Sequence, residues 1–153
     1  MEKTLLYPSP VGALALTCED GAVTALRRAM QPVDEGMHDA LTRLVFRQLD
    51  AYFAGIRREF DVPLRPSGTL FQKAVWAALR QIPYGETRTY QDIAEAVGRP
   101  KAYRAVGMAN HCNPIYILIP CHRVIGADGT LTGYGGGLDM KRALLELESS
   151  GRK

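Results

Sequence analysis

Residues 120–124 (PCHRV) place the thiol of Cys121 directly beside the imidazole of His122. A cysteine acts as a nucleophile in its thiolate form, and a neighbouring histidine that accepts the proton favours that form. The apolar residues 115–119 (IYILI) precede the pair and predict a buried strand that ends at the thiol. The alternative is a buried cysteine beside a surface histidine, and a Cys-His pair by itself does not separate the two.

The composition is that of a globular chain of one domain or two small ones, with 153 residues, 46% of them hydrophobic and 23% charged. No apolar run approaches the roughly 20 residues that a membrane-spanning helix needs. The first residues (MEKTL) contain no signal-peptide core. We therefore expect a cytoplasmic protein without a membrane partner.

The cysteines and histidines exclude several other classes of site. Three cysteines at irregular spacing do not suit a disulfide framework, and no CxxC or HxxxH pair indicates a zinc site. The glycine-rich residues 133–137 (GYGGG) lack the Lys-Ser/Thr that follows a phosphate-binding loop. We expect neither a metal nor another cofactor.

The first part of the chain predicts a small α/β domain over residues 1–66, including a linker. Its predicted strands lie at 4–7, 13–18 and 23–28. Apolar residues at helical spacing predict a helix over 38–54 that ends at Gly55. The segment 61–68 (DVPLRPSG) is rich in Pro and Gly and separates this part from residues 67–153.

The second part predicts helices at 69–81, 90–97, 101–112 and 138–149. Two short helices joined by the turn 98–100 (GRP) fit a helix-turn-helix, although an ordinary helical hairpin has the same pattern. Residues 67–153 carry 11 Lys and Arg against 7 Asp and Glu, whereas residues 1–66 carry 8 against 9. The second part is therefore the better candidate for binding an anionic partner.

These features together resemble one family, the methylated-DNA–protein-cysteine methyltransferases, which repair 6-O-alkylguanine. The resemblance covers most of residues 69–153 and is looser before them. Its matching blocks are YGE at 84–86, TYQ at 89–91, RAVG at 104–107, NP at 113–114, ILIPCHRV at 117–124, and Tyr134 ahead of GGL at 136–138. It implies an α+β fold in which the N-terminal domain packs on a C-terminal winged helix-turn-helix domain.

The resemblance implies a protein that transfers the alkyl group to its own cysteine and is consumed. Cys121 is then the nucleophile, and His122 is the base that acts through a bridging water. Glu148 orients the histidine, although from the residues alone it reads as a solvated helix residue, and Glu146 lies close by. Asn113 braces the helix-turn-helix against the active-site turn.

The resemblance also assigns roles at the DNA, which it implies is a duplex bound through the minor groove. Tyr90 helps to protonate the departing guanine at N3 and promotes extrusion of the base. Arg104 enters the duplex and fills the gap. Small residues at Ala105 and Gly107 let the helix approach closely. Gln91 and Arg99 match or neighbour positions that contact the DNA backbone.

In the guanine pocket that the resemblance implies, main-chain carbonyls near Cys121 and Val124 and amides near Tyr134 and Gly135 hold the base. Gly135 stands where some members carry serine, which removes one side-chain contact. Monomeric action is expected, with cooperative binding along DNA left open, and 4-O-methylthymine is a second expected substrate.

Two other functions compete with alkyl transfer. A non-catalytic binder of alkylated DNA is disfavoured because Cys121, His122 and Glu148 are all present. A thiol hydrolase or redox enzyme needs an oxyanion site or a resolving cysteine, and the sequence shows neither.

Overall fold

The computed structural model describes residues 2–33, 35–131 and 134–150. Its N-terminal part begins with an antiparallel sheet in the order β1-β2-β3. The strands are β1 (Glu2–Ser9), β2 (Gly12–Glu19) and β3 (Ala22–Arg28). Each of the three predicted strands is confirmed and is longer than expected.

Helix α1 (Ala40–Phe53) follows the sheet and confirms the predicted helix. Asp39 caps it by accepting the backbone N–H of Thr42, while the Thr42 side chain bonds back to the backbone of Asp39. Val45, Leu49 and Tyr52 lie three or four residues apart and are fully buried. One face of α1 therefore belongs to the core that the two parts of the chain share.

The C-terminal part contains the helices that the sequence predicts; the first three are shorter than expected and the last is one residue longer. They are α2 (Leu70–Leu79), α3 (Tyr90–Ala96), α4 (Tyr103–His111) and α5 (Leu138–Ser150). Thr69 and Thr89 cap α2 and α3 with reciprocal bonds. The indole N–H of Trp76 donates to the carbonyl of Ala109 at 2.8 Å and so fixes α4 against α2.

Two short parallel strands, β4 (Arg88–Thr89) and β5 (Val124–Ile125), join the start of α3 to the segment that follows the Cys-His pair. Between α4 and β5 lies a single 3-10 turn, Cys121–Arg123. Cys121 and His122 are therefore held by a tight turn between the helix-turn-helix and the small parallel sheet.

The prediction of a buried strand over 115–119 is wrong. These residues are almost fully buried, but Ile115 makes one isolated bridge and Ile117 has a φ of 72°, so the segment is a compact turn. Asn113 holds it: its Nδ2 donates to the carbonyls of Ile115 and Ile119, and its Oδ1 accepts the N–H of Ile115. The apolar run fills the core as a turn because this side chain satisfies its backbone groups.

The edge of β3 links the two parts of the chain. The N–H of Leu26 donates to the carbonyl of Pro114 at 2.9 Å, and the N–H of Tyr116 donates to the carbonyl of Leu26 at 2.8 Å. Arg28, at the end of the same strand, donates to the carbonyl of Gly136 at 2.6 Å and pairs with Asp139. The N-terminal sheet thus contacts both segments that flank the thiol.

We expect Asn113→Ala to destabilise the protein by about 2–4 kcal/mol, because three buried hydrogen bonds are lost together. The free energy of unfolding from urea titration measures this. Asn110→Ala is the matched control: Asn110 is equally buried but makes one weaker bond, 3.3 Å to the carbonyl of Cys121. Equal losses in the two variants would contradict a bracing role for Asn113.

Candidate active site

Cys121 opens the 3-10 turn and has only 1% of its surface exposed. Burial raises the pKa of its thiol to about 11, although a hydrogen bond from Asn113 and the charge of Lys141 act in the opposite direction. At pH 7 only about one thiol in 10⁴ is then ionised. Cys121 therefore rests as a neutral thiol, and it would require a base in order to act as a nucleophile.

His122, the next residue, is fully buried, so the alternative of a surface histidine is wrong. Its Nε2 lies 2.7 Å from Oε2 of Glu148. An ionised carboxylate can only accept, so Nε2 carries the proton and Nδ1 holds the lone pair. Nδ1 is buried and has no hydrogen-bond partner among the described residues. The imidazole therefore presents an unused acceptor.

Glu148 is 1% exposed on α5, whereas Glu146 is exposed. The interpretation of Glu148 as a solvated helix residue is therefore wrong. Burial by itself would raise the pKa of Glu148, but the hydrogen bond of His122, its charge when it is protonated, and the hydrogen bonds and charge of Arg123 outweigh burial and hold that pKa well below its usual range. Burial, helped by Arg123 and Lys141, lowers the pKa of His122. The pair rests as a carboxylate and a neutral imidazole.

Three further groups hold the carboxylate of Glu148. Arg123 donates from Nε to Oε1 at 2.8 Å and from Nη2 to Oε2 at 3.0 Å, and its Nη1 donates to the carbonyl of Ile82. The hydroxyl of Tyr52 donates to Oε2 at 2.6 Å, and the N–H of Gly85 donates to Oε1 at 3.4 Å. Donors from α1, from the loop after α2 and from the 3-10 turn thus converge on one side chain.

The expected guanine pocket lies around Val124, Tyr134 and Gly135. Val124 is fully buried, and its carbonyl accepts from Nζ of the buried Lys141 at 2.5 Å. Tyr134 is buried, with its hydroxyl unpartnered among the described residues, and its ring lies 5.2 Å from that of Tyr116. A Cβ on Gly135 would come within 2.5 Å of the Tyr116 hydroxyl, so a serine there would require Tyr116 to move.

The residues expected at the DNA lie on or beside α3 and α4. Tyr90 is half-buried at the start of α3, and its ring faces Gly107, where an added Cβ would approach it to 3.7 Å. Gln91 is exposed, and its Nε2 donates to the carbonyl of Pro100 at 2.7 Å, which closes the turn between the helices. Arg99 is exposed with its guanidinium 5.8 Å from the ring of Phe71.

Arg104 and Ala105 are exposed on the first turn of α4, and Gly107 is partly exposed. The Arg104 guanidinium lies 5.8 Å from the ring of Tyr103, which is itself 44% exposed. Arg99, Lys101 and Arg104 are all exposed and follow one another along the α3–α4 turn. This surface is basic, whereas Cys121, His122 and Glu148 lie inside the protein.

Sequence reasoning missed four residues that touch this site: Arg123, Tyr52, Lys141 and Asn110. Arg123 lies within the motif at 117–124, and its position beside the Cys-His pair is the one signal in the sequence that indicates it. Tyr52 appears in the sequence only as one apolar position of α1, and Lys141 and Asn110 are ordinary polar residues of helices. Their contacts come from elements far apart in the chain.

Within the ranges that the structure describes, no group of three or more His, Cys, Asp or Glu side chains is placed to hold a metal ion. No helix among the same residues has the length and apolar character needed to cross a membrane.

We expect Cys121 to react with iodoacetamide far more slowly than Cys112 at pH 7, since Cys121 is buried with a pKa of about 11 and Cys112 is partly exposed. Its labelling rate should rise about tenfold per pH unit up to about pH 10 without reaching a plateau. Peptide mass spectrometry in a Cys18→Ser background measures both rates at once. A plateau near pH 7 would contradict a thiol that is neutral at rest.

Comparison with known proteins places this geometry in context. The model for the 6-O-methylguanine DNA methyltransferase DNA-binding domain matches residues 70–150, and that for the ribonuclease-like domain of the same family matches residues 3–66. The methylated-DNA–protein-cysteine methyltransferase of Methanosarcina barkeri is 51% identical over 151 residues, which is 95% of this chain and 96% of that protein. The protein of that name from Mycobacterium tuberculosis H37Rv is 54% identical over 147 residues, or 93% and 89% of the two chains.

Solved structures agree. The Mycobacterium tuberculosis O6-methylguanine methyltransferase superposes with a TM-score of 0.90 at 50% identity, over 98% of this chain and 94% of that one. The Mycobacterium tuberculosis protein OGT in complex with DNA gives a TM-score of 0.88 at 51% identity, over 98% and 93%. On the family models, the identities and the shared fold, the chain belongs to the 6-O-methylguanine DNA methyltransferase family.

Proposed function

We propose that the protein repairs DNA by transferring the alkyl group of 6-O-methylguanine irreversibly to Cys121. The observation that carries this proposal is the buried thiol beside a histidine whose Nδ1 is unpartnered among the described residues and whose Nε2 is fixed by Glu148. The family name and the DNA complex of the Mycobacterium tuberculosis OGT supply the substrate class. One protein molecule repairs one lesion, because the product is a thioether.

The reaction balances without a cofactor. Nδ1 of His122 takes the thiol proton through a bridging water, the sulfur forms a bond to the methyl carbon, and the bond from that carbon to O6 breaks. The electron pair of the broken bond stays on the guanine, which gains a proton at N3 from the hydroxyl of Tyr90. Protonation of the leaving group lowers the barrier to its departure.

The buried position of Cys121 requires the damaged base to leave the duplex. We propose that the basic α3–α4 surface binds the minor groove as a monomer, with Gln91 and Arg99 at the phosphates and Ala105 and Gly107 allowing close approach. Arg104 fills the gap that the base leaves. Unstacking a base costs a few kcal/mol, and phosphate contacts offset that cost.

The extruded base lies against Val124, Tyr134 and Gly135 in this proposal, where main-chain groups bind the guanine edge. Asn113 holds the active-site turn in place. We assign residues 1–66 and 67–153 to separate domains and 4-O-methylthymine to the substrates. All three cysteines are free, which supports action in a reducing compartment such as the cytoplasm.

The first test is intact-protein and peptide mass spectrometry after mixing with a duplex that contains 6-O-methylguanine. We expect one methyl group per protein, located on the Cys121 peptide and absent from Cys121→Ser. Cys112→Ser is the matched control and should be methylated as the parent is. Tight binding without a mass change would instead identify a non-catalytic binder of damaged DNA.

Arg104→Ala should slow methyl transfer from a saturating duplex by about tenfold or more, because the unstacked state loses the side chain that fills it. The same variant should act on a single-stranded substrate at close to the parental rate, since little unstacking is needed there. Rates come from quenched-flow mass spectrometry. Arg99→Ala is the comparison: we expect weaker binding and a salt slope reduced by about 1, with an unchanged saturated rate. Equal slowing by Arg104→Ala on both substrates would count against insertion.

A further inference from the structure

The hydroxyl of Tyr52 is the feature of the site that alkyl transfer as proposed above leaves unused. Tyr52 belongs to α1, 96 residues from Glu148 in the chain, and is fully buried. Its hydroxyl donates to Oε2 of Glu148 at 2.6 Å, and the same oxygen accepts Nε2–H of His122 at 2.7 Å. The two donors share one acceptor atom, so each affects the bond that the other makes.

We propose that Tyr52 is a positioning residue for alkyl transfer, through which the N-terminal part of the chain sets the basicity of His122 by way of Glu148. This inference rests on the proposed function. A hydroxyl that donates to Oε2 withdraws negative charge from it and weakens its attraction for a protonated imidazole. His122 therefore stays neutral, with Nδ1 able to accept the thiol proton.

The groups that face His122 come from every element around it. Glu148 and Lys141 lie on α5, Arg123 follows it in the 3-10 turn, and Cys121 precedes it. Tyr52 donates to the Glu148 carboxylate, and burial and the charge of Glu148 raise the pKa of Tyr84, which lies in the loop after α2. Lys141 and Arg123 lower the pKa of His122, and Glu148 raises it. Removal of a hydrogen-bond donor from Glu148 should therefore raise the pKa of His122.

The ring of Tyr52 is fixed by packing and does not depend on its hydroxyl. It lies 5.2 Å from the ring of Phe53, 5.4 Å from that of Phe60 and 6.1 Å from that of Tyr84. Tyr52→Phe therefore removes one hydrogen bond and leaves the packing in place. Glu148 keeps its bonds from Arg123 and His122, so the carboxylate remains satisfied.

A matched control lies on the same helix. The hydroxyl of Tyr7, a buried residue of β1, donates to Oδ1 of Asp50 on α1 at 2.7 Å. Tyr7→Phe thus removes a bond of the same chemistry from the same region, but one that does not reach Glu148. It separates loss of a tyrosine–carboxylate bond in general from loss of this particular one.

The experiment is the pH dependence of single-turnover methylation of Cys121 by a saturating 6-O-methylguanine duplex. Loss of the hydroxyl should raise the pKa of His122, so in Tyr52→Phe the acid limb of the rate profile should move to higher pH by about 0.5–1 unit. On the acid limb the rate at a given pH should fall by about three- to tenfold, whereas at neutral pH, where His122 is already neutral, it should stay close to the parental rate. Tyr7→Phe should keep the parental limb.

The variant Glu148→Gln tests whether Tyr52 acts on His122 through the carboxylate of Glu148. If Tyr52 acts through the carboxylate, adding Tyr52→Phe to Glu148→Gln should produce no further shift of the acid limb. Three outcomes would each overturn the inference. The acid limb of Tyr52→Phe could match that of the parent, or Tyr7→Phe could show an equal shift of the limb. Tyr52→Phe could also still shift the limb when it is combined with Glu148→Gln. A merely structural role would lower the rate by one factor at every pH, which also overturns it.

A second measurement does not depend on activity. The ring protons of His122, followed by NMR as the pH is lowered, should titrate at higher pH in Tyr52→Phe than in the parent or in Tyr7→Phe. An unchanged midpoint overturns the inference even if the protein methylates itself normally. Failure of the unmodified protein to take up methyl, with the midpoint shifted as expected, would reject the proposed function and leave the coupling between Tyr52 and His122 intact.

Discussion

The ionised carboxylate of Glu148, which is almost fully buried, is the constraint on which the rest of the structure depends. Removal of a carboxylate from water costs several kcal/mol, and only good hydrogen bonds to every lone pair offset that cost. Glu148 receives such bonds from His122, Arg123 and Tyr52. The positions of α1, α5 and the 3-10 turn are therefore fixed relative to one another by a single charge.

The same charge explains the state of the thiol. Arg123 keeps Glu148 ionised, Glu148 keeps the proton of His122 on Nε2, and the lone pair of Nδ1 is left unused. Burial keeps Cys121 protonated. Under the proposed function this arrangement protects a nucleophile that can be used once, because a thiol that is mostly neutral and inaccessible resists oxidation and other alkylating agents.

Asn113 is a second buried polar side chain that pairs groups which would otherwise lack a hydrogen-bond partner. It bonds to the main chain, whereas Arg123 bonds to the carboxylate of Glu148. It satisfies three main-chain groups in residues 115–119 and lets an apolar segment turn tightly inside the core. Cys121 follows this turn and lies near the end of α4, where Asn110 donates to its carbonyl, while Leu26 of β3 holds the start of the turn. The basic surface lies outside and the thiol inside, which is why the proposed reaction needs an extruded base.

Much of the local structure follows from the sequence. The strands of the N-terminal sheet, the apolar face of α1 and the short helices α2 and α3 are short-range patterns, and each forms close to where it is predicted. The family resemblance also points to Cys121, His122 and Glu148. The Cys-His pair can be identified from the sequence because its two side chains belong to adjacent residues.

Tertiary structure decided what the sequence left open or indicated wrongly. An apolar run such as 115–119 predicts burial but not conformation, since a buried segment can be a strand or a turn. Here the side chain of Asn113, two residues before the run, stabilises the turn. Glu148 reads as a surface residue until the whole fold surrounds it with donors. Tyr52 reads as core packing, because its hydroxyl finds a partner 96 residues away only after α1 and α5 meet. Hydrogen bonds between distant elements leave no periodicity in the sequence, and in this protein they set the state of the reactive groups.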